Sequence, residues 1–170
     1  MGKGTVVQAL RSQYPQLWVS VSATTRAPRP GEVDGVHYLF VSDAEFDELI
    51  ANDGLLEWAL VHGTDRYGTP AAPVRAAVAS GRRVILEIEL QGARQVKERL
   101  PEARLVFIAP PAPETLQERL LARGTETPEQ MARRLRTAEV EMAAAGEFDH
   151  VVVNDDLGIA VQQLVELLGL

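Results

Sequence analysis

Apolar runs of strand length alternate along this chain with amphipathic runs of helix length, and few architectures accept that order. Five short runs, residues 17–21, 55–61, 84–90, 105–108 and 151–153, are mostly rich in β-branched side chains and read as strands. Helix signals fill the gaps. Ser42 with Glu45 three residues later is a capping box, and Gly54 lies just past the helix it opens. Thr127, Pro128 and Gln130 repeat the signature and open a long helix running toward Ala145, with Gly146 as its stop. Strands alternating with helices predict an α/β fold in which a parallel sheet is covered by helices. At 170 residues, and with no internal repeat, a single domain is expected.

Composition removes several classes of function. With 46% hydrophobic and 24% charged residues the chain can build a core, which excludes wholesale disorder. There is no apolar run of membrane-spanning length and no signal-peptide core, so a cytoplasmic protein without a membrane role is expected. The absence of cysteine rules out disulfides, thiolate nucleophiles and Cys-ligated zinc. His37, His62 and His150 are scattered without ligand spacing, and no Gly-x-Ser-x-Gly elbow appears, so zinc and serine-hydrolase chemistry find no support. A net charge of −7 argues against a broad grip on nucleic acid. A local anion site remains open: all but two of the 17 basic residues are arginine, whose planar fork suits phosphate, although coding bias also explains the preference.

Four constellations could carry chemistry. Gly2-Lys3-Gly4-Thr5 opens a helix running to about Ser12 and has the form of the tail of a phosphate loop, GxxxxGK[ST]; alone it is equally a chance Gly-Lys at a helix start. The loop after residues 17–21 carries hydroxyls and two arginines, Arg26 and Arg29, and Pro28 and Pro30 stiffen it, either as an anion cradle or as a solvated turn. Glu57, Glu87 and Glu89 lie in strand-like runs, where a carboxylate needs a partner. Alternation puts Glu57 with Leu55, Ala59 and Val61 and turns Trp58 away, while Glu87 and Glu89 share a face. Arg119 and Arg134 have no acidic neighbour one helical turn away, and Arg123 has only Glu126, on the far side of the helix-breaking Gly124, which suits anion ligands as well as plain surface arginines.

Together these residues resemble the guanylate kinases. Ser20 to Glu32 (Ser-Val-Ser-Ala-Thr-Thr-Arg-Ala-Pro-Arg-Pro-Gly-Glu) is similar to the family's nucleotide-binding segment. Leu56-Glu57-Trp58-Ala59, Tyr67-Gly68-Thr69-Pro70, Leu86-Glu87-Ile88-Glu89-Leu90-Gln91-Gly92-Ala93, Arg123-Gly124-Thr125 and Val153-Asn154-Asp155-Asp156 follow in the family's order. The resemblance covers essentially the whole chain. It implies a parallel-sheet, P-loop nucleoside monophosphate kinase fold with a GMP-binding subdomain at 23–80 and a helical lid at 112–140. The implied reaction is transfer of the γ-phosphoryl of ATP to GMP with Mg2+, by a monomer or homodimer.

The implied residues follow by position. Glu57 accepts from guanine, with Ser22, Thr69 and Glu89 also at the base. Arg26, Arg29, Tyr38 and Tyr67 hold the GMP phosphate. Gly2, Lys3, Gly4, Thr5, Arg123, Asn154 and Asp155 meet ATP, and Thr5 is the candidate metal ligand. Lys3, Arg26, Arg119, Arg123 and Arg134 neutralise the transferring phosphoryl group. Three features depart from the family. Its first strand and the front of its phosphate loop do not precede Gly2, so open strand edges and exposed apolar surface are expected. Gly4 stands where many members carry Ser, and Glu89 replaces the usual Asp. The alternative implied by the incomplete loop is a guanylate-kinase-like interaction domain without catalysis.

Overall fold

The computed structural model describes residues 2–61, 63–112, 115 and 128–170. The chain forms two compact units, Tyr14–Ala103 and a second made of Met1–Gln13 with Arg104–Leu170. In chain order the elements are α1 (Lys3–Gln13), β1 (Trp18–Val19), β2 (Ala23–Thr24), β3 (Leu39–Phe40), α2 (Asp43–Ala51), β4 (Leu55–Val61), β5 (Asp65–Pro70), α3 (Ala71–Ala79), β6 (Val84–Ile85), α4 (Leu90–Arg99), β7 (Val106–Ala109), α5 (Pro128–Ala143), a 3-10 turn (Ala145–Glu147), β8 (His150–Val153) and α6 (Leu157–Leu168). Among the described residues no helix is long and apolar enough to cross a membrane.

The Tyr14–Ala103 unit is built on a four-stranded sheet of order β3-β2-β5-β4, with β2 and β3 parallel and β5 antiparallel to both β2 and β4. Residues paired across strands share a face. The row Leu39, Ala23, Gly68, Trp58 therefore faces one way, and there Ala23, Phe46 and Leu55 form a core with Leu39, Val41, Leu49, Ile50 and Trp58 beneath α2. The capping box of α2 is complete: Ser42 Oγ accepts from the Glu45 N–H, and Glu45 accepts from the Ser42 N–H at 2.7 Å. Arg66 lies over the Phe46 ring at 4.8 Å and pairs with Asp43 and Asp47. The opposite row, Phe40, Thr24, Tyr67, with Thr69 and Glu57 beyond it, is left to other duties. A separate parallel pair, β1 with β6, adjoins a second core of Leu56, Ala71 and Val74.

In the other unit β7 and β8 are parallel, and Asp149 accepts the Leu105 N–H at 2.7 Å at the entry to β7. Val6 and Leu10 of α1 and Ala160, Val161 and Leu164 of α6 are buried, while Val151 and Val153 stand exposed on β8. Asp156 caps α6 by accepting from the Ile159 N–H at 2.9 Å.

Several expectations are corrected. Residues 17–21 contribute only Trp18–Val19, and the chain restarts as β2 at Ala23. The run 84–90 is divided: Val84 and Ile85 pair with β1, whereas Leu90, Ala93 and Val96 recur at helical spacing and belong to α4. Glu87 and Glu89 consequently occupy the connection, not a strand, with Glu89 the residue before α4. The two-residue β3 and the polar β5 carry no apolar alternation to announce them, and β5 makes the larger sheet mixed, not parallel. On β4 a register irregularity between Leu55 and Glu57 breaks the simple alternation, so Leu55 shares a core with Trp58 instead of a face with Glu57. Gly54 lies past the end of α2 as read, and the left-handed residue before it is Asp53 (φ 51°); the long helix, by contrast, ends at Ala143, leaving Gly146 in the 3-10 turn. Thr127 lies outside the described residues.

Candidate active site

Glu57 and Thr69 face each other across β4 and β5. Both are buried, and Thr69 Oγ1 donates to Glu57 Oε1 at 2.6 Å. Burial pushes the Glu57 carboxyl above the ordinary carboxylate range; the Thr69 bonds oppose that push and the Glu89 charge adds to it. The carboxylate lies against Gly92 in the first turn of α4, where an added Cβ would stand 2.2 Å from Oε2.

Two residues back along β5, on the same face, the Tyr67 hydroxyl accepts from Arg26 Nε at 2.9 Å. The Arg26 guanidinium lies 5.4 Å from the Tyr38 ring centre and 5.8 Å from that of Phe40, and the Tyr38 and Tyr67 rings meet edge-on at 5.7 Å. Burial raises the Tyr38 hydroxyl above its usual pKa, with the neighbouring Tyr67 adding to the shift. Glu32 completes the cluster: Arg26 Nη2 donates to both its oxygens, at 2.9 and 3.0 Å, and the Arg29 N–H donates to it at 2.7 Å. The Arg26 bond, then the Arg29 N–H, holds the Glu32 carboxyl below the usual range, and the same pairing raises Arg26.

The structure thus gathers Arg26, Tyr38, Tyr67, Thr69 and Glu57 on one sheet face. Ser22 is half-buried just before β2, its carbonyl accepting the Leu39 N–H at 2.9 Å. Arg29 is exposed and enters the cluster through its backbone. Glu32 was missed by residue-by-residue reading; its signal was a lone acid closing a loop that holds two arginines.

The other unit holds the glycine-lysine segment. Gly2 adopts φ 79°, its carbonyl accepts the Val6 N–H at 3.1 Å, and Lys3 is the first helical residue of α1. Gly4 and Thr5 are exposed in that first turn. An added Cβ on Gly2 would stand 2.6 Å from the buried Asn154 amide, so the segment 154–155 after β8 closes onto the start of α1, with Asp155 exposed beside it. Among the described residues no group of three or more His, Cys, Asp or Glu could hold a metal. The single exposed Thr5 hydroxyl fits a cation whose remaining ligands are phosphate oxygens and water, the habit of magnesium. Arg119 and Arg123 lie outside the described residues, as does the side chain of Arg134 on α5.

A family model described as guanylate kinase matches residues 1–169. The guanylate kinase of Nocardia farcinica is 60% identical over 168 residues, covering 98% of this chain and 87% of the relative. That of Cutibacterium acnes is 58% identical over 170 residues, covering 100% and 85%. The crystal structure of guanylate kinase from Anaplasma phagocytophilum superposes with a TM-score of 0.82 at 33% identity, over 98% of this chain and 80% of that one.

Proposed function

The chain belongs to the guanylate kinase family, and on that footing we propose that it moves the γ-phosphoryl of ATP to GMP, with Glu57 as the group that selects guanine. The observation that carries the reading is the buried Glu57–Thr69 pair on the same sheet face as the Arg26–Tyr67–Tyr38 cluster. Guanine offers N1–H and its 2-amino group as adjacent donors, and an ionised carboxylate accepts both. Adenine presents an acceptor at N1 and leaves that carboxylate unsatisfied, which in a buried site costs roughly 10⁴ in specificity. Ser22, Thr69 and Glu89 complete the base site.

At the other end of the face Arg26, Arg29, Tyr38 and Tyr67 receive the GMP phosphate. In the structure Glu32 holds Arg26 in place through the one nitrogen Nη2, which donates to both carboxylate oxygens. The guanidinium is therefore oriented before substrate arrives, and the ordering cost of binding falls.

ATP enters as its magnesium complex, with Gly2, Lys3, Gly4 and Thr5 at its phosphates and Asn154 and Asp155 beside the adenine. Thr5 would hold the magnesium ion, which would neutralise phosphate charge. A GMP phosphate oxygen bonds to the γ-phosphorus as the β,γ-bridging bond breaks, and its electron pair leaves on ADP. The attacking oxygen is already anionic, so no general base is required and the protein aligns and neutralises. Lys3, Arg26 and the lid arginines Arg119, Arg123 and Arg134, in a lid of residues 112–140, balance the charge, with 23–80 serving as the GMP-binding subdomain. The working place is the cytoplasm. An intact Glu57–Thr69 pair and Arg26 cluster favour this over a non-catalytic interaction domain.

The test is ADP formation by the purified chain from magnesium ATP with GMP or AMP, with circular dichroism as the check on folding. GMP-dependent turnover with AMP poorer by roughly 10⁴ is expected. A folded chain that turns over AMP as well as GMP, or neither, overturns the reading.

A further inference from the structure

We propose that Gly92 is a positioning residue for guanine recognition: the space left by its missing side chain is where the Glu57 carboxylate rests. This rests on the reading of Glu57 as the guanine acceptor. Gly92 is the third residue of α4 and is buried. A Cβ there would lie 2.2 Å from Glu57 Oε2 and 2.9 Å from Cδ, far inside van der Waals contact. Glycine inside a helix weakens it relative to alanine, so a buried glycine at this position needs a reason, and the carboxylate supplies one.

The helix cannot simply retreat to make room. Gln95, one turn on, grips the backbone of β4 at Trp58, accepting the N–H at 3.1 Å through Oε1 and donating to the C=O at 2.7 Å through Nε2. Arg99, a further turn on, donates to the Leu55 carbonyl at 3.0 Å and to Asp53 at 2.7 Å. Ala93 and Val96 on the same helix are buried. With α4 pinned to β4, a methyl group at position 92 displaces the end of the flexible glutamate. Oε1 is already held by Thr69, so Oε2 has to move.

The experiment compares Gly92→Ala, Glu57→Gln, Glu57→Asp and the double variant Gly92→Ala/Glu57→Asp in steady-state kinetics with GMP and IMP, whose base lacks the 2-amino group. Gly92→Ala is expected to raise KM for GMP by about 10²-fold and to narrow the GMP-to-IMP ratio of kcat/KM, with KM for ATP and the melting temperature unchanged. Shortening the acid by one methylene clears the methyl group, so the double variant should recover GMP use beyond Gly92→Ala alone. A Gly92→Ala enzyme with wild-type KM for GMP and an unchanged GMP-to-IMP ratio overturns the proposal. So does a loss that extends equally to ATP and that Glu57→Asp does not relieve, which marks a merely structural glycine. Glu57→Gln separates the two layers. If it binds GMP as wild type does, the reading of Glu57 itself fails; if it loses GMP while Gly92→Ala does not, only the inference about Gly92 fails.

Discussion

The sheet face of the Tyr14–Ala103 unit and the first turn of α1 are built from different materials. On the sheet the groups proposed to meet GMP are side chains that hold one another in place: Thr69 on Glu57, Tyr67 and Glu32 on Arg26. At α1 the proposed ATP groups are backbone N–H donors of a helix start, shaped by Gly2 at φ 79° and closed by Asn154. As proposed, the first arrangement discriminates, because a buried carboxylate is satisfied by one base and not another. The second, as proposed, takes any polyphosphate. A kinase that must choose its acceptor and accept a common donor places its fixed side chains accordingly.

The contrast can be broken by substitution. Glu57→Gln keeps the shape of the side chain but puts an N–H₂ where guanine also presents donors; kcat/KM for GMP should fall by roughly 10⁴ with KM for ATP unchanged, read by the same ADP assay. Arg26→Ala removes the phosphate fork and leaves Glu32 without its ion pair; a loss of about 10² to 10³ in kcat/KM for GMP is expected. Gly2→Ala tests the other material. Alanine resists φ 79° and its methyl group meets the Asn154 amide, so KM for ATP should rise by about 10-fold while KM for GMP stays put. If either set of substitutions alters both constants alike, the division of labour is wrong.

The smallest effect concerns pH. Glu57 holds its proton in the fold to a higher pH than in the unfolded chain, chiefly because of burial. Between its ordinary pKa of 4.5 and the raised one the folded state binds more protons, so stability contributed by this group falls as pH rises through that window. Denaturant midpoints of wild type and Glu57→Gln should therefore diverge from pH 4.5 upward, with wild type losing ground. Parallel curves would show that Glu57 is not buried as described.

Legibility in the sequence followed the range of the interactions. The capping box at Ser42 and the helix from Lys3 are local and were readable, as was β4, whose bounds the apolar run predicts. β5 was not: Asp-Arg-Tyr-Gly-Thr-Pro has no apolar alternation, and it is a strand because it pairs with β2 on one side and β4 on the other, with Gly68 leaving room for Leu55 and Trp58 close against it. The run 84–90 misled because adjacent apolar residues served two elements in turn. At the site, Arg26, Tyr38, Glu57, Tyr67 and Thr69 were found through motif resemblance, which records chemistry in order along the chain. Glu32, Gly92 and Gln95 escaped because each acts through a neighbour fixed by tertiary packing: a glycine beside a carboxylate is invisible until helix and strand are side by side.

Gln95 has a further meaning. β4 is the outermost strand of its sheet, and a border strand with unclaimed peptide groups is a template on which a second chain can assemble. By taking both the N–H and the C=O of Trp58, the glutamine imitates a neighbouring strand at that point and leaves an intruder nothing to grasp there. A residue that reads as ordinary helix surface is thus also a guard against strand-to-strand aggregation.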